Sequence, residues 1–137
     1  MFSEKIAAIE QTDLIVLPET FTTGFSMNPK FAEPMDGSAV AWMRKTAREK
    51  KCVVCGSLMI KAPSPLEGEV FYNRFIWMQP DGEFLTYDKR HLFCMSDEPK
   101  IFTAGEERLI VELKGWKICP LICYDLRFPV WSRNHQI

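Results

Sequence analysis

Pro120-Leu121-Ile122-Cys123-Tyr124-Asp125-Leu126-Arg127-Phe128-Pro129 is an apolar run that closes on a cysteine and then turns abruptly polar. Residues 116–122 have the length and apolar content of a buried strand, and Pro129-Val130-Trp131 suits the first turn of a helix. The spacing predicts a strand-to-helix elbow with Cys123 at its corner. A thiol placed there faces solvent beyond the sheet and lies near the positive end of the helix, which favours the thiolate.

Working outward, residues 108–113 and 116–122 read as a strand pair around Lys114-Gly115. Residues 71–79 and 84–87 read as a β-hairpin around Pro80-Asp81-Gly82-Glu83, with Lys89 just past its second strand. Residues 52–60 form a further apolar strand, and the proline-rich residues 62–68 read as a surface loop. Helical spacing runs through Val40, Met43 and Ala47 in residues 39–51, preceded by a loop rich in Thr, Gly, Asn and Pro that ends at Gly37. Leu14-Ile15-Val16-Leu17 reads as a buried strand stopped by Pro18, so Glu19 sits just past its carboxyl end. Residues 3–11 are predicted to be helical, with Ser3 as cap and Ile6 and Ile9 on one face.

The order is helix, strand, helix, strand, hairpin, hairpin and helix start, which predicts a mixed α/β sheet with helices covering one face. Glu19, Lys89 and Cys123 each follow an apolar strand directly. Active sites of α/β sheets gather at strand carboxyl ends, so these three are expected to converge despite their separation in sequence.

Composition limits the partners. The chain has 137 residues, 47% of them apolar and 26% charged, within the ordinary range of a globular protein. That length fits one domain or part of one, with burial of roughly two-thirds of the extended surface. Net charge is −1, from 17 basic and 18 acidic residues with no basic block, so no nucleic-acid or anionic-membrane surface is expected. The sequence holds no apolar stretch of the length that spans a bilayer and no secretory-type leader, and a cytoplasmic location is expected. Five cysteines, Cys52, Cys55, Cys94, Cys119 and Cys123, read as reduced thiols rather than a disulfide framework.

A thiol, a carboxylate and an ammonium in one place have a specific use. The Cys123 sulfur attacks a carbonyl or nitrile carbon, Glu19 accepts its proton and later returns one to departing ammonia, and Lys89 steadies the oxyanion. The backbone N–H of Tyr124, just after the elbow, offers a second oxyanion donor. A thioester acyl-enzyme then awaits hydrolysis by water.

Three segments carry a resemblance. Asp13-Leu14-Ile15-Val16-Leu17-Pro18-Glu19, Tyr87-Asp88-Lys89-Arg90-His91-Leu92-Phe93 and Ile122-Cys123-Tyr124-Asp125-Leu126-Arg127-Phe128-Pro129 resemble, in order, the signature segments of the carbon-nitrogen hydrolase (nitrilase) superfamily. Glu19-Thr20-Phe21-Thr22-Thr23-Gly24-Phe25-Ser26-Met27 is similar to the omega-amidase branch, which hydrolyses 2-oxoglutaramate and related ω-amides of dicarboxylic acids. The resemblance implies Glu19 as general base, Lys89 as oxyanion stabiliser and Cys123 as nucleophile, with no metal and no organic cofactor. It places a second, substrate-positioning glutamate on Glu98, in Glu98-Pro99-Lys100-Ile101-Phe102-Thr103-Ala104-Gly105, with Asp97 as a neighbouring candidate. It also implies an α-β-β-α sandwich and commonly a homodimer.

The family's domain opens with a strand before the first helix and continues well beyond the elbow. Residues 1–137 are therefore expected to form a single, incomplete carbon-nitrogen hydrolase domain, a partial sandwich with its second half missing and little amidase turnover of its own. The alternative is a non-catalytic remnant or subunit that associates through its exposed sheet edge.

Other features have plainer readings. In Cys52-Val53-Val54-Cys55, strand alternation sends the two sulfurs to opposite faces, against a metal or redox pair. His91 reads as a structural histidine beside Lys89 rather than as part of a Cys-His dyad. Arg127 is a candidate for binding a substrate carboxylate, with local pairing to Asp125 as the competing reading. Phe71, Phe75 and Trp77, at period two, read as one packed face of a strand.

Overall fold

A computed structural model of the chain describes residues 2–134. Its elements are α1 (Phe2–Ala7), β1 (Leu14–Val16), α2 (Ser38–Lys50), β2 (Val53–Ser64), β3 (Gly68–Met78), β4 (Phe84–Asp88), α3 (Glu98–Ile101), β5 (Val111–Leu113), β6 (Trp116–Ile118) and α4 (Pro129–Ser132). Two short 3-10 turns, Pro29–Phe31 and Cys123–Arg127, lie between them. The result is a mixed α/β structure.

The main sheet has the order β1-β2-β3-β4. β1 pairs parallel with β2, and the β2–β3 and β3–β4 pairs are antiparallel. Two reversals therefore return β4 to the direction of β1. The carboxyl ends of β1 and β4, with Glu19 and Lys89 just beyond them, lie at the same end of the sheet.

One face of the sheet is covered by helices. Val40, Met43 and Ala47 of α2 are fully buried against Ile15, Val54, Leu58, Ile60, Ile76 and Met78, and Ile6 of α1 joins them. The start of α2 is fixed by Glu33, whose carboxylate accepts the Ala39 N–H at 2.9 Å and the Ser38 hydroxyl at 3.1 Å. The opposite face carries Cys55, Phe75, Trp77 and Tyr87, packed against Val111 and Ile122. Cys52 and Cys55 fall in the two opposite clusters, as strand alternation requires.

Several expectations need correction. Helix α1 ends at Ala7, earlier than the spacing suggested, and Ser3 lies within it instead of capping it. Leu14-Ile15-Val16-Leu17 is buried on one face only: Ile15 and Leu17 sit under the helices, whereas Val16, on the other face, is 67% exposed. Residues 62–64, expected in a loop, continue β2 opposite Val70, Glu69 and Gly68. The N–H of Lys61 points away from β3 to the Glu33 carbonyl, so two residues on Pro63 also faces that side, where its missing donor breaks no ladder bond.

The largest correction concerns residues 116–122. Only Trp116–Ile118 is a strand, and it pairs with β5 in a separate two-stranded sheet. Pro120 has no N–H to extend the ladder, and Trp116 is 76% exposed. Residues 119–122 instead cross the second face of the main sheet, where Ile122 is buried and Leu121 packs against the same cluster. Cys123 thus reaches the site from above the sheet rather than from one of its strands. The following helix is likewise a 3-10 turn and then the single turn α4; residues 135–137, expected to extend it, lie outside the described residues.

Candidate active site

Glu19 is positioned by a loop stitched to β2. The Leu17 N–H reaches the Cys55 carbonyl at 2.7 Å, the Thr20 N–H reaches Ser57 Oγ at 2.8 Å and the Phe21 N–H reaches the Ser57 carbonyl at 3.2 Å. Thr20 adopts a left-handed φ of 42°, an unusual conformation for a β-branched residue, held by its hydroxyl donating to the Gly24 carbonyl at 2.7 Å. The chain therefore turns sharply just past β1 and leaves the Glu19 carboxylate at the sheet's end.

Lys89 continues the β3–β4 ladder by one residue, its N–H donating to the Asn73 carbonyl at 3.0 Å. Its own carbonyl accepts the Gly105 N–H at 3.0 Å. A side chain at Gly105 is excluded, because its Cβ would stand 2.1 Å from the Asp88 carbonyl oxygen. Lys89 has no exposed surface.

The buried ammonium is held by two carboxylates. Nζ lies 2.8 Å from Glu19 Oε1 and 3.0 Å from each oxygen of Glu98. Burial pulls the ammonium toward the neutral form, but the Glu19 hydrogen bond and the charges of Glu98 and Glu19 together outweigh it and hold its pKa above the ordinary lysine value. Glu98 is itself fully buried and also accepts the Phe93 N–H at 2.5 Å. Asp97, the neighbouring candidate, is exposed and pairs with Lys100 instead.

Cys123 opens the 3-10 turn with a left-handed φ of 46°, the strained corner of the elbow. Its thiol lines the same cleft as the Glu19 carboxylate and lies within the fields of Glu19, Lys89 and Glu98. Burial, followed by the charge of Glu19, pushes the thiol above its ordinary pKa against the opposing pull of Lys89. This reverses the expectation that a helix end favours the thiolate: a five-residue 3-10 turn supplies little dipole, and the adjacent carboxylates work against it. The structure therefore brings Glu19, Lys89, Glu98 and Cys123 together, and Tyr124 follows with its backbone N–H in the first turn, where helical donors have no partner within the turn.

Asp125 fixes this corner to the sheet. Fully buried, it accepts the Tyr87 hydroxyl at 2.7 Å, the His91 N–H at 2.8 Å and the Ile122 N–H at 3.0 Å, and lies 2.9 Å from His91 Nδ1. His91 is thereby tied to Asp125 and stacks on Phe128 at 3.7 Å, a structural placement. Because Asp125 faces inward, it does not pair with Arg127. Arg127 instead lines a cleft of about 820 Å³ with Glu19, Phe25, Phe93, Met95, Cys123, Tyr124 and Leu126.

Sequence reasoning missed two residues. Asp125 enters the sequence reading only as a competing partner for Arg127, although its position inside an apolar elbow is a signal of burial. Asn73 passed unnoticed between Phe71 and Phe75. It is 1% exposed, and its Nδ2 donates to Glu19 Oε1 at 2.8 Å and Glu98 Oε1 at 3.2 Å. Phe71, Phe75 and Trp77 share its face of β3, but Phe71 packs in a different cluster from the other two, with Asn73 at the boundary.

This fold and this cluster identify the class: the chain belongs to the carbon-nitrogen hydrolase family, whose sequence pattern matches residues 2–136. It is 47% identical over 135 residues to omega-amidase YafV of Yersinia enterocolitica, covering 98% of this chain and 51% of the relative. The 2-oxoglutaramate amidase of Bacillus subtilis is 36% identical over 130 residues, covering 92% and 48%. Among solved structures, a carbon-nitrogen hydrolase superfamily protein of Xanthomonas campestris with an arsenic adduct in its active site superposes with a TM-score of 0.88 at 45% identity, covering 97% of this chain and 49% of that one. The chain spans about half the length of these relatives. No helix among the described residues is long and apolar enough to cross a membrane.

Proposed function

We propose that this chain carries the nucleophile half of a thiol amidohydrolase that cleaves the C–N bond of small ω-amides of dicarboxylic acids, of the 2-oxoglutaramate type. The observation that carries the reading is that Cys123 and Glu19 line one cleft, with Glu19 bonded to a buried ammonium that a second carboxylate, Glu98, also holds. A thiol with a raised pKa needs a base at the moment of attack, and Glu19 is in place to serve.

In the first step the Cys123 sulfur attacks the amide carbonyl carbon as its proton passes to Glu19. The oxyanion that forms is met by Lys89 Nζ and the Tyr124 N–H. Collapse breaks the C–N bond, Glu19 returns the proton to the leaving nitrogen, and ammonia departs. Water, giving a proton to Glu19, then attacks the thioester; the carboxylic acid leaves and the thiol recovers its proton. Glu98 positions Lys89 throughout.

The substrate class is supported by the names of the relatives and by the cleft. Apolar Phe25, Phe93, Met95 and Leu126 suit a short methylene chain, and Arg127 supplies a cation for the distal carboxylate. The direct test is acid-quenched mass spectrometry after mixing the chain with succinamate. A succinyl thioester on Cys123, diminished by Arg127→Ala and absent in Cys123→Ser, is the expected result; no adduct on the wild-type chain would overturn the reading.

A further inference from the structure

Asn73 lies outside all three signature segments, yet it touches both carboxylates of the cluster. We propose that Asn73 is a positioning residue that, together with Lys89, anchors Oε1 of Glu19 and so reserves the second oxygen of that carboxylate for the Cys123 thiol. The inference deepens the thiol amidohydrolase reading and rests on it.

Three observations carry it. Asn73 is the cross-strand neighbour of Lys89, since its carbonyl accepts the Lys89 N–H, so the two side-chain donors rise from adjacent strands. Both donate to the same Glu19 oxygen, each at 2.8 Å. A carboxylate turns freely about its terminal torsion, and two donors converging on one oxygen remove that freedom.

The third observation is a loss that packing does not explain. Asn73 Oδ1 is buried with no hydrogen-bond partner among the described residues. Turning the amide over would set this oxygen against two carboxylates, so the donor end must face them and the acceptor end stays empty. A residue serving only to fill the strand would do better as an apolar side chain, like Phe75 and Trp77 on the same face. The orphaned oxygen marks a side chain kept for its donor.

The test is the rate of iodoacetamide labelling of the full chain at about pH 7, resolved by peptide mass spectrometry into Cys123 and the other exposed thiol, Cys94. In the wild type Cys123 is expected to react faster than Cys94. Asn73→Leu, close in shape but without the donor, is expected to slow Cys123 at least about tenfold while leaving Cys94 unchanged. The loss should shrink near about pH 10, where more thiolate forms without a base.

A folded Asn73→Leu chain that labels Cys123 at the wild-type rate, or that loses the same factor at both pH values, overturns the proposal. Should that variant not fold, Asn73→Ser carries the same expectation, and failure of both to fold makes Asn73 a structural residue and overturns it equally. A wild-type Cys123 no faster than Cys94 is a different result: it removes the nucleophile reading and the proposal with it.

Discussion

Lys89 concentrates the physical argument at the scale of a single residue. A lysine without exposed surface is costly to desolvate, and here two carboxylates at 2.8 and 3.0 Å offset that cost. Removing the cation would leave Glu98 buried and unbalanced while Asn73 alone remained on both carboxylates. Lys89→Met is therefore expected to destabilise the chain by about 3–5 kcal/mol, read from urea unfolding midpoints. A loss under about 1 kcal/mol would show that Glu98 finds another partner or takes up a proton.

At the scale of elements, the elbow and strand β4 form one unit joined by Asp125. Its carboxylate gathers donors from Tyr87 at the end of β4, from His91 just beyond it and from Ile122 before the thiol. Tyr87 extends the network by accepting from Trp131 Nε1 at 3.0 Å, so α4 is tied in as well. Asp125→Ala would orphan several buried donors at about 1–3 kcal/mol each. The expected result is a loss of at least about 3 kcal/mol in chemical denaturation, with Asp125→Asn milder because it keeps an acceptor.

These elements also explain what the sequence could and could not reveal. The hairpin, α2 and β1 were legible because period-two and helical spacing report burial directly, as in Val40, Met43 and Ala47. The strand pair around Lys114-Gly115 was legible too, but the path of residues 119–122 was not, since an apolar run reads alike whether it pairs in a sheet or lies across its face. Within the cluster, Glu19, Lys89 and Cys123 stood out as reactive residues after apolar runs. Asn73 and Asp125 did not, because a buried polar residue is defined by partners 54 and 38 positions away.

For the whole molecule, the titrations point one way. Burial pushes the Cys55 thiol up to about 12, and Tyr87 is raised by burial and by its bond to Asp125. Lys89 is raised despite burial, by its hydrogen bond to Glu19 and the charges of Glu98 and Glu19. In each case the folded state keeps a proton that the unfolded chain gives up, so the stabilisation is complete below the unfolded pKa and is lost as pH rises through the folded one. Stability should hold to about pH 8.5 and then fall, first through Cys55 and then through Tyr87 and Lys89. Thermal melts across that range check it, and Cys55→Ala should reduce the earliest part of the decline, to which the raised thiols Cys52, Cys119 and Cys123 also contribute.

The central claim is that Glu19 and Lys89 assemble around Cys123 as one reactive site. Intact-mass and peptide mapping of the chain treated with one equivalent of chloroacetamide tests it most directly. The account predicts a single adduct on Cys123 ahead of the other four thiols, lost in Glu19→Gln and in Lys89→Ala. Equal labelling of all five cysteines, or a Glu19→Gln variant that reacts as fast as the wild type, would contradict it.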